Sequence, residues 1–157
     1  MAKLKITDEW WSAPAESENG ELIIVTGRRN MDDVMATGKY VNRVEVTWRY
    51  ADGGMPDVKT SEMMESVTDS LKAVFKKDPV AVLTGIYTGA GERNWVFYTM
   101  SLPIFGKKFN EALADFEMLP LEFYADSDPD NKYTWSKSRS RETDNFILLW
   151  DTASGRP

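Results

Sequence analysis

The chain has 157 residues, 42% of them hydrophobic and 12% aromatic, and a net charge of −6. That length suits one domain with a core of its own, which needs no disulfide or metal to hold it. The absence of Cys and His removes disulfides, thiol catalysis, thiolate or imidazole metal sites and Ser–His triads. The acidic balance argues against nucleic acid, whose phosphates call for a basic surplus.

The N-terminus, Met1 to Asp8, lacks the apolar run of a signal peptide. No stretch approaches the roughly 20 apolar residues that span a bilayer. A cytoplasmic location without membrane contact is the expectation. Trp10 and Trp11 then open the apolar pattern. Asn19-Gly20 is a hairpin-turn dipeptide, and Leu22 to Thr26 is a short β-rich run, so the two pieces predict a hairpin. Arg28 to Lys39 is irregular and partly charged, and reads as a loop.

Val41 to Tyr50 alternates cleanly. Val44, Val46, Trp48 and Tyr50 share one face, and Arg43, Glu45, Thr47 and Arg49 share the other, which predicts a strand with one covered and one wetter face. Asp52-Gly53-Gly54 breaks it. Ser61 to Lys77 predicts a helix whose stripe is Met63, Met64, Val67, Leu71, Val74 and Phe75, stopped by Asp78-Pro79. Val80 to Thr88 and Trp95 to Met100 read as strands joined through the Gly-rich segment Gly89 to Asn94, with Thr84–Thr88 pairing against Trp95–Thr99. Pro103 suits the first turn of a second helix carrying Phe105, Phe109, Ala112, Leu113 and Phe116. Leu119 to Tyr124 reads as a final core strand. Phe146 to Trp150 is a late apolar run, expected to be buried as an added strand or a docked tail.

This order predicts an α+β fold: a ferredoxin-like β-α-β-β-α-β antiparallel sheet with two helices on one face. The expected parts are an N-terminal β-hairpin and loop (1–40), the ferredoxin-like core (41–126) and a C-terminal extension (127–157), all in one domain.

Chemistry is sparse. Asp126-Ser127-Asp128-Pro129-Asp130-Asn131 begins like a calcium loop. It then has Asn131 where Gly belongs and Lys137 where a bidentate Glu belongs, so a turn is the better reading and no metal is expected. Gly89-x-Gly91 lies between two strands, whereas a dinucleotide loop lies between a strand and a helix. The face carrying Arg43, Glu45 and Arg49 is placed like an RNA-recognition sheet but lacks the aromatic signature. Glu45 with Glu122 is a conceivable carboxylate pair that nothing singles out. Of Trp10, Trp11, Trp95, Trp135 and Trp150, most belong to the core. The adjacent pair Trp10–Trp11 cannot both point inward on a strand, so one needs cover.

The segment Asp8-Glu9-Trp10-Trp11, the strand Arg43 to Tyr50 with the following Met55-Pro56, the hairpin Thr88 to Tyr98, and Asp126-Ser127-Asp128-Pro129 with Tyr133 together resemble the bacterial domain of unknown function 695 (DUF695). The family has no established activity, so the resemblance carries over no catalytic residues; no cofactor is expected. In some bacterial chains a similar domain is joined to one resembling the ribonuclease E regulator B family, acidic ferredoxin-like proteins that inhibit an RNA-degrading enzyme. By that analogy a non-enzymatic protein-binding or regulatory module is expected, with an unknown protein partner and room for a homodimer. The alternatives are a small-molecule-binding or hydrolytic enzyme using carboxylates, Tyr and Arg, and an RNA-binding sheet. The expected contact surfaces are the wetter face at Arg43, Glu45 and Arg49 and the hairpin at Glu92, Arg93 and Trp95.

Overall fold

The first hairpin forms where Asn19-Gly20 predicts it. Strand β1 (Trp10–Ser17) pairs antiparallel with β2 (Leu22–Arg28), and Gly20 takes φ +79° in the reversal. The structure, a computed structural model, describes residues 6–17, 19–50 and 53–128, and the backbone of 146–148.

Between β2 and the next strand the expected loop contains a short helix, α1 (Asp32–Ala36), whose Val34 is fully buried. Its five residues are too few for a periodic stripe, so only the paired Asp32 and Asp33 in its first turn hint at it. Strand β3 (Asn42–Arg49) follows. Helix α2 (Val58–Lys77) starts three residues before the predicted Ser61, because the Asp57 side chain caps it by accepting from the Thr60 N–H at 2.7 Å. Met64, Val67, Leu71 and Phe75 carry its buried stripe, each contributing about 1.5–3 kcal/mol of burial. Met63, expected in that stripe, is turned about a quarter-circle away and is 40% exposed.

Strands β4 (Ala81–Gly89) and β5 (Glu92–Thr99) form the second hairpin. Their loop is two residues long, Ala90 and Gly91, both at positive φ (53° and 85°), the geometry that matches strand twist. The pairing includes Gly85 with Val96 and Ile86 with Trp95, as expected, but a bulge at Thr84 interrupts it. The extra residue switches the side-chain parity of β4. Leu83 and Ile86 therefore both reach the helix-side core, whereas strict alternation would place them on opposite faces. Helix α3 (Leu102–Ala112) is capped by Ser101, and its Phe105 stacks on Phe75 with centroids 5.5 Å apart.

Strand β6 (Leu121–Ser127) corrects the sequence reading. It pairs only with β3 among the described strands and lies at the sheet edge, with Phe123 55% exposed. A strand of three residues, β7 (Phe146–Leu148), adds to the other edge beside β1. The expected burial of its side chains, together with Trp135, Trp150, Lys137 and Pro129 to Asn131, lies outside the described residues.

The result is a mixed α+β architecture. One open sheet, antiparallel throughout, runs in the order β6-β3-β5-β4-β2-β1-β7, with α2 and α3 against its β3–β5 region. A core lies on each side. The helix-side core holds Val44, Val46, Trp48, Trp95 and Phe97. The opposite core holds Trp11, Val25, Val34, Tyr40, Val96 and Tyr98.

Candidate functional site

Strand alternation places Arg43, Glu45 and Thr47 together on the face away from the helices, as expected, but that face is not wet. Arg43 and Glu45 are each 1% exposed, and they pair at 3.6 Å. The reason is tertiary: β1, β2, α1 and Tyr40 supply a second apolar cluster on that side. A buried ion pair must be held by geometry and further partners, because desolvation costs each charge several kcal/mol. The neighbourhood supplies polar company. Thr47 donates to Asn94 at 2.5 Å, and the Tyr98 hydroxyl donates to the Asp128 carboxylate at 2.6 Å. Tyr87 is also buried there, and desolvation pushes its phenol pKa up. Arg43 and Glu45 therefore present no contact surface. Tyr87 and Tyr98 of this face are buried too, unlike the open stacking platform of an RNA-recognition sheet. Glu122 does not join Glu45; it pairs with Arg49 at 2.5 Å on the exposed side.

The second hairpin is equally enclosed. Glu92 and Arg93 are each 7% exposed. Arg93 donates through Nε to Thr88 at 2.9 Å and through a terminal nitrogen to Glu65 of α2 at 2.8 Å, so it ties the hairpin to the helix. Trp95 is wholly buried, and its indole N–H donates to Thr68 at 2.8 Å. Of the six expected contact residues only Arg49 has a half-exposed side chain, shared between Glu92 and Glu122. The dinucleotide-like Gly89-x-Gly91 is the hairpin reversal. Gly89 has a separate duty: a Cβ there would sit 2.3 Å from the Leu22 carbonyl oxygen. Glycine is what allows β2 to lie against β4.

Among the described residues, two open spaces lie elsewhere, along the outer flank of α2. The buried members of the helix-side core come from α2, α3, β3, β4 and β5 and the residue preceding β4. The same side of β1 and β2 keeps Ser12 and Pro14 exposed and Ile24 and Thr26 half-buried. The uncovered strip beside α2 forms an upper cleft of about 390 Å³. Trp10, Met55, Pro56, Thr88 and Arg93 contribute to its lining, with Ile86 and Thr68 among the other residues around it.

A second chamber of about 690 Å³ lies further along α2, toward the helix C-terminus. Lys72 lines both spaces. The Trp10 ring is fixed near it. Its indole N–H donates to Asp8 at 2.5 Å, and the Arg28 guanidinium and Lys72 ammonium lie over the ring at 4.5 and 4.6 Å. The cover that one member of the Trp10–Trp11 pair requires is thus two cations and a helix flank, while Trp11 enters the opposite core. Asp8 sits 3.9 Å from Arg28 and 3.6 Å from Lys72. The indole hydrogen bond, helped by these cations, holds its carboxyl below the usual carboxylate range. Sequence reading singled out Trp10 but missed Arg28 and Lys72, which lie in different elements and carry no shared motif.

Among the described residues no cluster of His, Cys, Asp and Glu is placed to hold a metal ion, and no helix is long and apolar enough to cross a membrane. Asp128 of the calcium-like segment is buried against Tyr98. No curated protein matches the chain. One family does, over residues 9–135, a span that contains both hairpins, α2, α3 and the groove. The chain belongs to the family of unknown function DUF695.

Proposed function

We propose that this protein is a non-enzymatic binding module that engages a protein partner through the upper cleft between α2 and the open side of the first hairpin. The observation that carries the reading is convergence. Trp10, Met55-Pro56 and Thr88 with Arg93 are three of the segments on which the family resemblance rests, and they line the same cleft. The cleft mixes an aromatic ring, a Met and a Pro with a guanidinium already paired to Glu65, a composition suited to recognition. The chain's lack of His and Cys supports binding over nucleophile–histidine chemistry.

A ferredoxin-like reading of the β3-α2-β4-β5-α3-β6 segment belongs to the same proposal. Its support is the split pattern: β5 lies between β3 and β4, and β3 lies between β5 and β6. On this reading the first hairpin is an addition to the unit, and the cleft is the seam between the two. A cytoplasmic setting is also part of the proposal, compatible with a chain that has no Cys.

The test is site-specific photo-crosslinking in the native cell, with the photoreactive residue placed at Met55 or, as control, at Phe123 on the far edge. We expect one protein to crosslink from Met55 and not from Phe123, and to be lost when Trp10→Ala is added. Equal labelling from both positions, or reproducible turnover of a substrate by the purified chain, would overturn the proposal.

A further inference from the structure

The lower chamber carries a separate inference. It exists because the β2–β4 ladder, whose register includes Gly27 opposite Gly85, does not continue along β4 toward Ala81. The Arg28 side chain takes the place of a strand there, donating from Nε to the Leu83 carbonyl at 2.9 Å and from a terminal nitrogen to the Thr7 carbonyl at 2.5 Å. Beyond Arg28 the chamber opens between the start of β4 and the C-terminal part of α2 from Asp69 to Lys77. Its inner wall is apolar and buried, made by Leu71, Phe75, Ala81 and Leu83.

Its charge runs against the chain as a whole. The protein is net −6, yet Arg28, Lys72, Lys76 and Lys77 line this chamber against only two carboxylates, Asp8 and Asp69. Asp8 is already engaged by the Trp10 indole, Arg28 and Lys72. Lys76 and Lys77 are exposed, and among the described residues neither has a carboxylate within ion-pair distance. They lie in the last turn of α2, where cations favour the helix dipole, but that local role does not require an apolar chamber beside them. An apolar wall of this size with cations at its mouth is complementary to a small ligand with an apolar body and one anionic end.

We propose that the lower chamber binds a free, monomeric amphipathic carboxylate, with its chain against Leu71, Phe75 and Leu83 and its carboxylate facing Lys76 and Lys77. The proposal does not rest on the protein-binding reading, which concerns the upper cleft and is tested by crosslinking from Met55.

The experiment is calorimetric titration of the full chain with decanoate below its micelle concentration, with decanol and decyltrimethylammonium as neutral and cationic counterparts. Saturable one-to-one decanoate binding is expected, at least ten-fold tighter than either counterpart. The double variant Lys76→Gln with Lys77→Gln should weaken it about ten-fold, because both cations at the mouth are lost. Ala73→Trp, at an exposed position lining the chamber, should abolish it by filling the space while leaving the circular-dichroism spectrum and melting unchanged. Absence of saturable decanoate binding would overturn the proposal. So would equal affinity for decanol, or binding that survives Ala73→Trp and therefore occurs elsewhere on the surface.

Discussion

The two hairpins begin from the same kind of local signal and end in opposite situations. Each reverses through glycine at positive φ, and each pairs antiparallel. The β4–β5 hairpin is buried along its whole length. The β1–β2 hairpin buries Trp11, Ala13, Ala15, Ile23 and Val25 on one side and leaves much of the other side open. Position in the sheet makes the difference. The central hairpin lies between two cores, whereas the outer one extends past the helices and has only one. The lesson is that the central hairpin carries the stability and the outer one creates the accessible space.

The largest expected effect sharpens that contrast with two tryptophans. Trp95→Ala should cost about 4 kcal/mol of unfolding free energy, since it empties a fully enclosed site and strips Thr68 of its indole partner. Trp10→Ala should cost about 1 kcal/mol, because a half-buried ring under two cations can be replaced by water. Urea denaturation reads both, and equal costs would break the comparison. Next come the two glycines. Gly89→Ala should cost about 3 kcal/mol, because its Cβ would meet the β2 backbone at 2.3 Å and neither strand can yield without opening the ladder. Gly20→Ala should cost about 1 kcal/mol, since only its positive φ resists a side chain and no atom lies within 4 Å.

Alkali should act on the middle of the sheet and spare the first hairpin. Burial pushes the Tyr87 phenol of β4 well up and raises Tyr50, just after β3, to about 12. In the unfolded chain both ionise near their ordinary value of about 10. The folded state therefore holds protons that the unfolded state has lost, and stability falls as pH rises from about 10 through about 12. No tyrosine lies in β1 or β2, so that hairpin contributes nothing to this loss. Phenolate absorbance followed beside unfolding should show Tyr87 titrating only with the loss of structure. The smallest effect belongs to the surface. Arg49→Ala removes a half-exposed partner of Glu92 and Glu122 and should change stability by less than about 1 kcal/mol, in contrast to the enclosed Arg43 three repeats of the pleat away.

Much of the fold was legible because its signals are local. The alternation over Val44, Val46 and Trp48 marks their common core face, and the stripe Met64-Val67-Leu71-Phe75 marks the buried side of α2. The failures share one cause. Arg43 and Glu45 read as wet because their types are polar, yet their burial depends on what the first hairpin and α1 place over them. Phe123 reads as core because it is apolar, yet β6 has only β3 as a described neighbour. The bulge at Thr84 has no residue signature, although it decides that Ile86 meets Trp95. The candidate site was legible only in fragments. Trp10 and Arg93 stood out, but nothing in their spacing joined them to Lys72 or Arg28.

What the sequence by itself determined is most of the elements, α1 excepted, and the exclusions. Periodicity, caps and turn residues act over a few positions, and the lack of Cys and His is a property of composition. What only the tertiary structure decided is which faces are covered and where space remains. The docking of β2 against β4, strands separated by α1, β3 and α2 in the chain, sets both at once: it encloses Arg43 and Glu45 on one side and leaves the upper cleft beside α2 on the other. Burial is a relation between distant segments, and no local pattern encodes it.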